Sequence, residues 1–281
     1  MVVAFYLSTL PPSNHSSTPT PTNIEEVTVE KVSLQLWGGI DSVSVCLTLE
    51  NSADYKNIHY EVIVEGKGQR LEGDHLLWLG SSTFSVTERL IRNPGEYDFD
   101  LTVRITDKNG EVLATKECTA SLLTMKVGDT VPEVESFHNL SLTITSWIES
   151  KIAVYGPYTT GYYTFTAKPG MKFIILFFSF QNNWIREQTT PYVNSGELFT
   201  EVGYIYERWS PPGAHSEEYD SRRSTEEEVR ELVGDAGAYE RLLQEESVEG
   251  CVIFEIPQDA EPIEASLDST LVHFPNIVVF S

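Results

Sequence analysis

The sequence predicts an all-β protein built from two immunoglobulin-like β-sandwiches, the second carrying an acidic, partly helical insertion. Three observations lead there. Apolar and polar residues alternate with period two in many short runs, as half-buried strands require. Turn sequences such as Asn93-Pro94-Gly95, Asp107-Lys108-Asn109-Gly110 and Lys168-Pro169-Gly170 separate those runs. Finally, 281 residues with 41% hydrophobic content suffice for one large core or two ordinary ones without help from metals or disulfides.

The chain opens with residues 1–26, an apolar remnant followed by a linker. Val2 to Leu10 is far shorter than the roughly 20 residues that span a bilayer, and no Lys or Arg precedes it. The Pro/Ser/Thr tract from Pro11 to Asn23 forms a semi-extended spacer. Such a pair is expected between an export signal that starts upstream and an exported domain; the plainer reading is a frayed tail.

Residues 27–126 form the first predicted sandwich. Val27 to Leu36 leads, and Val43, Val45, Leu47 and Leu49 then alternate with Ser42, Ser44, Cys46 and Thr48. Ile58, Tyr60, Val62 and Val64 repeat the pattern, and Thr83 to Ile91 supplies a middle strand. Tyr97, Phe99, Leu101, Val103 and Ile105 alternate most cleanly, and the Asn109-Gly110 turn sends the chain back through Val112 to Leu122. About seven short strands in roughly 100 residues is the immunoglobulin spacing.

Residues 127–281 form the second unit. Leu140, Leu142 and Ile144 alternate, Tyr162 to Thr166 make a short aromatic strand, and Met171 to Asn182 is the most apolar stretch in the chain. That stretch is too short for a membrane helix and reads as a buried central strand. Gly250 to Ile256, Glu264 to Leu267 and Thr270 to Phe280 complete the pattern. An insertion at about 209–246 interrupts it. There Ser224 or Thr225 caps a helix through Glu226, Glu227 and Glu228, and a second helix runs from Gly237 to Gln244.

The segment from Val127 to about Leu267 resembles the DUF4352 family of telokin-like, immunoprotective extracellular domains. The likeness rests on VGDTV at Val127 to Val131, LSLTITS at Leu140 to Ser146, AKPGMKFIILFFSFQN at Ala167 to Asn182 and GCVIFEIPQDAEPIEASL at Gly250 to Leu267. It departs from the family in its long acidic insertion and in having Glu245-Glu246-Ser247 where a Pro-Gly normally precedes the Gly250 strand. The resemblance implies an immunoglobulin-like sandwich on secreted or lipid-anchored proteins and no catalytic residues.

Charge narrows the partners. With 42 acidic against 19 basic side chains the net charge is -23, so nucleic acid and anionic lipid surfaces are repelled, and a membrane enters only through an N-terminal anchor. No GxSxG, GxGxxG or GxxxxGKS occurs, and the six histidines form no HxH or HExxH, which leaves each solitary. The immunoglobulin reading suggests a Cys46–Cys118 disulfide, but strand parity argues against it: Cys46 is out of phase with the apolar face of its strand, and Cys118 sits on the strand after the Asn-Gly hairpin, not before it. Cys251 reads as a small buried hydrophobe. Asn14 and Asn139 head glycosylation triplets.

Tyr206, Trp209, Glu217, Glu218, Tyr219 and Asp220 mix aromatic and acidic groups in the insertion, which makes them the candidate ligand surface; the same acidity would suit calcium, and no other cofactor is expected. The competing role for Tyr206 and Trp209 is packing. The sequence therefore reads as a non-enzymatic, extracellular or cell-surface binding module for a protein or glycan. A structural spacer of the envelope is the second reading, and an enzyme with a site assembled between the domains is the third.

Overall fold

The computed structural model describes residues 26–52, 55–77, 82–131, 140–158, 161–189, 193, 195–210, 221–224, 241–268 and 273–280. The fold is all-β, and the described residues contain no helix. None is therefore long and apolar enough to cross a membrane. The Val2 to Leu10 run and the Pro/Ser/Thr tract lie outside the described residues.

In the first half, β1 (Thr28–Leu36), β2 (Ser42–Glu50) and two short strands, β5 (Thr83–Ser85) and β6 (Leu90–Ile91), form one antiparallel sheet. β3 (Asn57–Val64), β4 (Gln69–Leu76), β7 (Asp98–Asp107) and β8 (Val112–Ser121) form another, in the order β4-β3-β7-β8. The alternating apolar residues of both meet in a common core, with Val43, Val45 and Leu47 on one side and Tyr60, Val62, Leu101 and Val103 on the other. Two features depart from expectation. The Thr83 to Ile91 strand is broken, because the Thr87 N–H donates to the Tyr60 hydroxyl (3.1 Å) and the Arg89 guanidinium folds back onto the Val86 and Thr87 carbonyls. Strand β4 carries little alternation, burying only Leu71, because it is a polar sheet edge. Gly73 is required there: a Cβ would lie 2.6 Å from the Tyr60 hydroxyl oxygen.

In the second half, β9 (Leu123–Met125), β16 (Ser195–Thr200), β17 (Ile205–Glu207), β21 (Pro262–Asp268) and β22 (His273–Val279) form a sheet in the order β17-β16-β21-β22-β9, with β9 and β22 parallel. β10 (Thr130–Val131), β11 (Leu140–Ser150), β14 (Met171–Asn182) and β20 (Ser247–Pro257) form a second sheet in that order. β12 (Ile152–Tyr158), β13 (Gly161–Thr166) and β18 (Ser221–Ser224) form a third. Strand β14 explains its own composition. Ile174, Leu176, Phe178 and Phe180 face one core with Leu198, Phe254 and Ala265, while Phe173 and Ile175 face another with Val154, Phe165, Trp209 and Ile253. A strand covered on both faces loses period two and reads as one apolar run.

The insertion is partly strand where helix was expected. Ser224, the expected cap, ends β18 and pairs with Tyr162. In place of the end of the second helix, Arg241–Leu242 forms β19, paired with β15 (Gln188–Thr189). The chain then turns at Glu245 (φ 66°), where the Glu246 carboxylate accepts the Leu243 N–H (2.7 Å) and Asn182 bonds the backbone of Glu245 and Glu246. These fixed partners outcompete a helical ladder. Residues 225–240, with the first expected helix, lie outside the described residues.

The halves meet through the outer face of the sheet containing β16, β21 and β22. Ile277 of β22 enters the first core. Beside it, Arg92 and Glu264, both fully buried at the side chain, form an ion pair. Arg92 also donates to the carbonyls of Ile40 (2.7 Å) and Glu96 (3.1 Å), and the Gly95 N–H (3.4 Å) points at the second oxygen of Glu264. Burial and a hydrogen bond to Glu264 push the Tyr97 phenol up.

Nearby, Glu197 accepts the Ile40 N–H (2.5 Å). Burial raises the Glu197 carboxyl above the usual range; the Ile40 hydrogen bond opposes this, and the like charges of Asp41 and Glu207 add to it. The folded chain thus holds this proton more tightly than the unfolded chain, so the group's contribution to stability is present below the ordinary Glu range and is lost as pH rises through the raised value. Glu197→Gln keeps an oxygen for Ile40 and should flatten that part of the slope and raise stability at neutral pH. Urea midpoints across the acidic to neutral range test this, and an unchanged slope would assign the effect to another group.

Candidate binding groove

The sequence-selected ligand residues are only partly brought into view. Trp209 is 8% exposed, with its ring 5.3 Å from Phe165 and 5.0 Å from Phe173, and its backbone N–H donates to the Ile253 carbonyl (2.7 Å). Tyr206, on β17, packs partly buried against the core between β14 and β16. Glu217, Glu218, Tyr219 and Asp220 lie outside the described residues, as do Asn14 and Asn139.

Cys46, Cys118 and Cys251 are free thiols. The reason is strand phase. Cys46 lies opposite Ser85 with its Sγ 3.2 Å from the Ser85 Oγ, on the face of β2 away from Val45 and Leu47. Cys118 lies in the other sheet, opposite Leu101, and packs on the core from that side. Cys251 packs against the core around Trp209, where desolvation raises its thiol.

The described surface holds a different concave site. At one end of the β4-β3-β7-β8 sheet, a groove of about 770 Å³ opens between the end of β4, the start of β3 and the β7–β8 turn. Register builds it. His59 of β3 sits between Asp74 of β4 and Thr106 of β7, so the three share one face. His59 Nδ1 lies 3.0 Å from Asp74 Oδ1. A carboxylate only accepts, so Nδ1 carries the proton in this pair.

His75 belongs to the opposite face and stacks on Phe84, with centroids 4.2 Å apart and planes 12° apart. Burial lowers its basicity, so the neutral ring is favoured. Half-exposed Leu76, two residues after Asp74, lies on the face of Asp74. Across the groove, Asp107 braces the turn: its carboxylate accepts the N–H groups of Asn109 and Glu111 and the Asn109 side-chain amide, each at 2.8 Å. Those bonds, led by the one from Glu111, hold Asp107 below the usual carboxylate range. Gly110 completes the reversal at φ 84°.

Sequence reasoning left His59 and His75 solitary because it searched along the chain for paired ligands. They share a groove through the β3–β4 pairing, and β4 lacks the alternation that would have revealed it. Among the described residues no group of three or more His, Cys, Asp or Glu is arranged to hold a metal ion.

No family model matches the sequence, and no curated protein matches it. Among solved structures, the chain is similar to an uncharacterized β-sandwich protein from Clostridium difficile 630, at 12% identity and a TM-score of 0.33, over 57% of this chain and 97% of that one.

Proposed function

We propose that this chain is a non-enzymatic binding module acting outside the cell, with two immunoglobulin-like sandwiches as its frame, the second on the DUF4352 pattern. The observation that carries the reading is the groove at His59, Asp74, Thr106 and Lys108, where the ends of three strands and one braced turn present polar groups from a rigid sheet. The DUF4352 pattern is supported by the Gly128 and Gly170 turns, both at positive φ, in front of β10 and β14. The N-terminal apolar run and its spacer support an exported, tethered setting.

Unfolding of the full chain against a peptide and glycan panel tests the proposal. A ligand at 100 times its dissociation constant should add about 2.7 kcal/mol to the apparent stability. The gain should vanish in Asp74→Asn/Lys108→Ala, whose two positions lie at the groove rim. A gain that survives this double variant would overturn the assignment.

A rigid spacer is the second reading, favoured by the buried Arg92–Glu264 joint, and it is the reading left standing if no ligand registers. An enzyme with its site between the halves would need reacting groups at that joint, where Arg92 and Glu264 already engage each other.

A further inference from the structure

We propose that the groove takes a neutral polyhydroxylated ligand, a saccharide. This rests on the groove being the binding site and names what it would bind.

The argument starts from which polar atoms are already engaged. Asp107 spends both carboxylate oxygens on its own turn. Asp74 spends one oxygen on His59. What is left for a ligand is the second Asp74 oxygen, Nε2 of His59, the Thr106 hydroxyl and, at the rim, the donors Lys108 and Asn57. Asp74, His59 and Thr106 lie in one row across three adjacent strands, so at the usual interstrand spacing the row is about 10 Å long.

The chemistry of that row selects among ligands. Asp74 only accepts and Thr106 both donates and accepts, so the ligand must bring donors of its own. A fully ionised phosphate brings none and would face Asp74, Asp107 and a chain of net charge -23. An ammonium or metal cation would find one carboxylate consumed by its turn, the other shared with His59, and Lys108 at the rim. A hydroxyl donates and accepts at once and carries no charge to be opposed. Hydroxyls repeated along a ring match a linear row, and the apolar C–H face of such a ring matches half-exposed Leu76, which shares the face of Asp74.

The test is titration of the full chain with maltose, cellobiose, lactose and N,N′-diacetylchitobiose by ligand-observed NMR and calorimetry. Inorganic phosphate and spermidine serve as anionic and cationic probes. At least one disaccharide should bind, and Asp74→Asn, His59→Phe and Thr106→Val should each weaken it tenfold or more while leaving the urea midpoint nearly unchanged. Binding of phosphate or spermidine instead, lost in Asp74→Asn, would overturn the saccharide and leave the groove standing. Disaccharide binding unaffected by all three substitutions would place the sugar elsewhere and overturn the proposal. No binding of any probe would overturn the saccharide and count against the groove as well.

Discussion

Arg92→Ala should destabilise the protein by about 3–5 kcal/mol, the cost of stranding a buried charge without its partner. Arg92 and Glu264 have no solvent to fall back on, since both side chains are fully buried. Removing the guanidinium leaves the Glu264 carboxylate with the Gly95 N–H and the Tyr97 hydroxyl, and it orphans the carbonyls of Ile40 and Glu96. Glu264→Gln keeps the volume and should cost a comparable amount, because it leaves the guanidinium as the unbalanced charge. The double replacement Arg92→Met/Glu264→Leu removes both charges and should cost less than the two single changes added together. Urea denaturation of the four proteins decides. A loss below about 1 kcal/mol for Arg92→Ala would be the behaviour of a solvent-screened surface pair and would contradict the burial.

Trp209→Ala should cost about 3–5 kcal/mol, in the range for emptying an aromatic site in a packed core. The indole fills the space between Phe165, Phe173 and Ile253, so its loss opens a cavity beneath the central strand β14. Trp209→Phe should recover most of the loss by refilling that space. Denaturation midpoints measure both variants, and Tyr206→Ala, at a half-buried position, should cost less than Trp209→Ala. If Trp209→Ala abolished ligand binding with no loss of stability, the aromatic and acidic surface proposed from the sequence would be the better site. A stability loss with binding intact would place Trp209 among the packing residues.

Particular residues show what the sequence made legible. Strands with one covered face, such as β3 and β7, alternate cleanly, because each side chain answers to either core or solvent. β14 was legible for the opposite reason, being apolar on both faces. What escaped is set by partners far along the chain. β4 is an edge whose one deep anchor is Leu71, and the Thr83 to Ile91 segment is broken by Tyr60, a residue over 20 positions earlier. The helix expected to end at Gln244 yields to Asn182 and to the β15 pairing, contacts that no local propensity encodes. The groove belongs to the same class. Its polar row comes from three strands, and only the register brings Asp74, His59 and Thr106 together.

The parallel pair of β9 and β22 ties folding to the order of synthesis. β9 follows directly on the first half, yet its hydrogen-bonding partner is β22, made about 150 residues later, and that same strand sends Ile277 into the first core. A ribosome that has released the first eight strands has not yet made the residue that completes their packing, nor Glu264, the counter-charge for Arg92. The nascent N-terminal half must therefore wait, with part of its apolar interior uncovered, until β22 has been made. Chains cut short before β22 should be left with two unfinished halves, which makes β22 a checkpoint for the described fold.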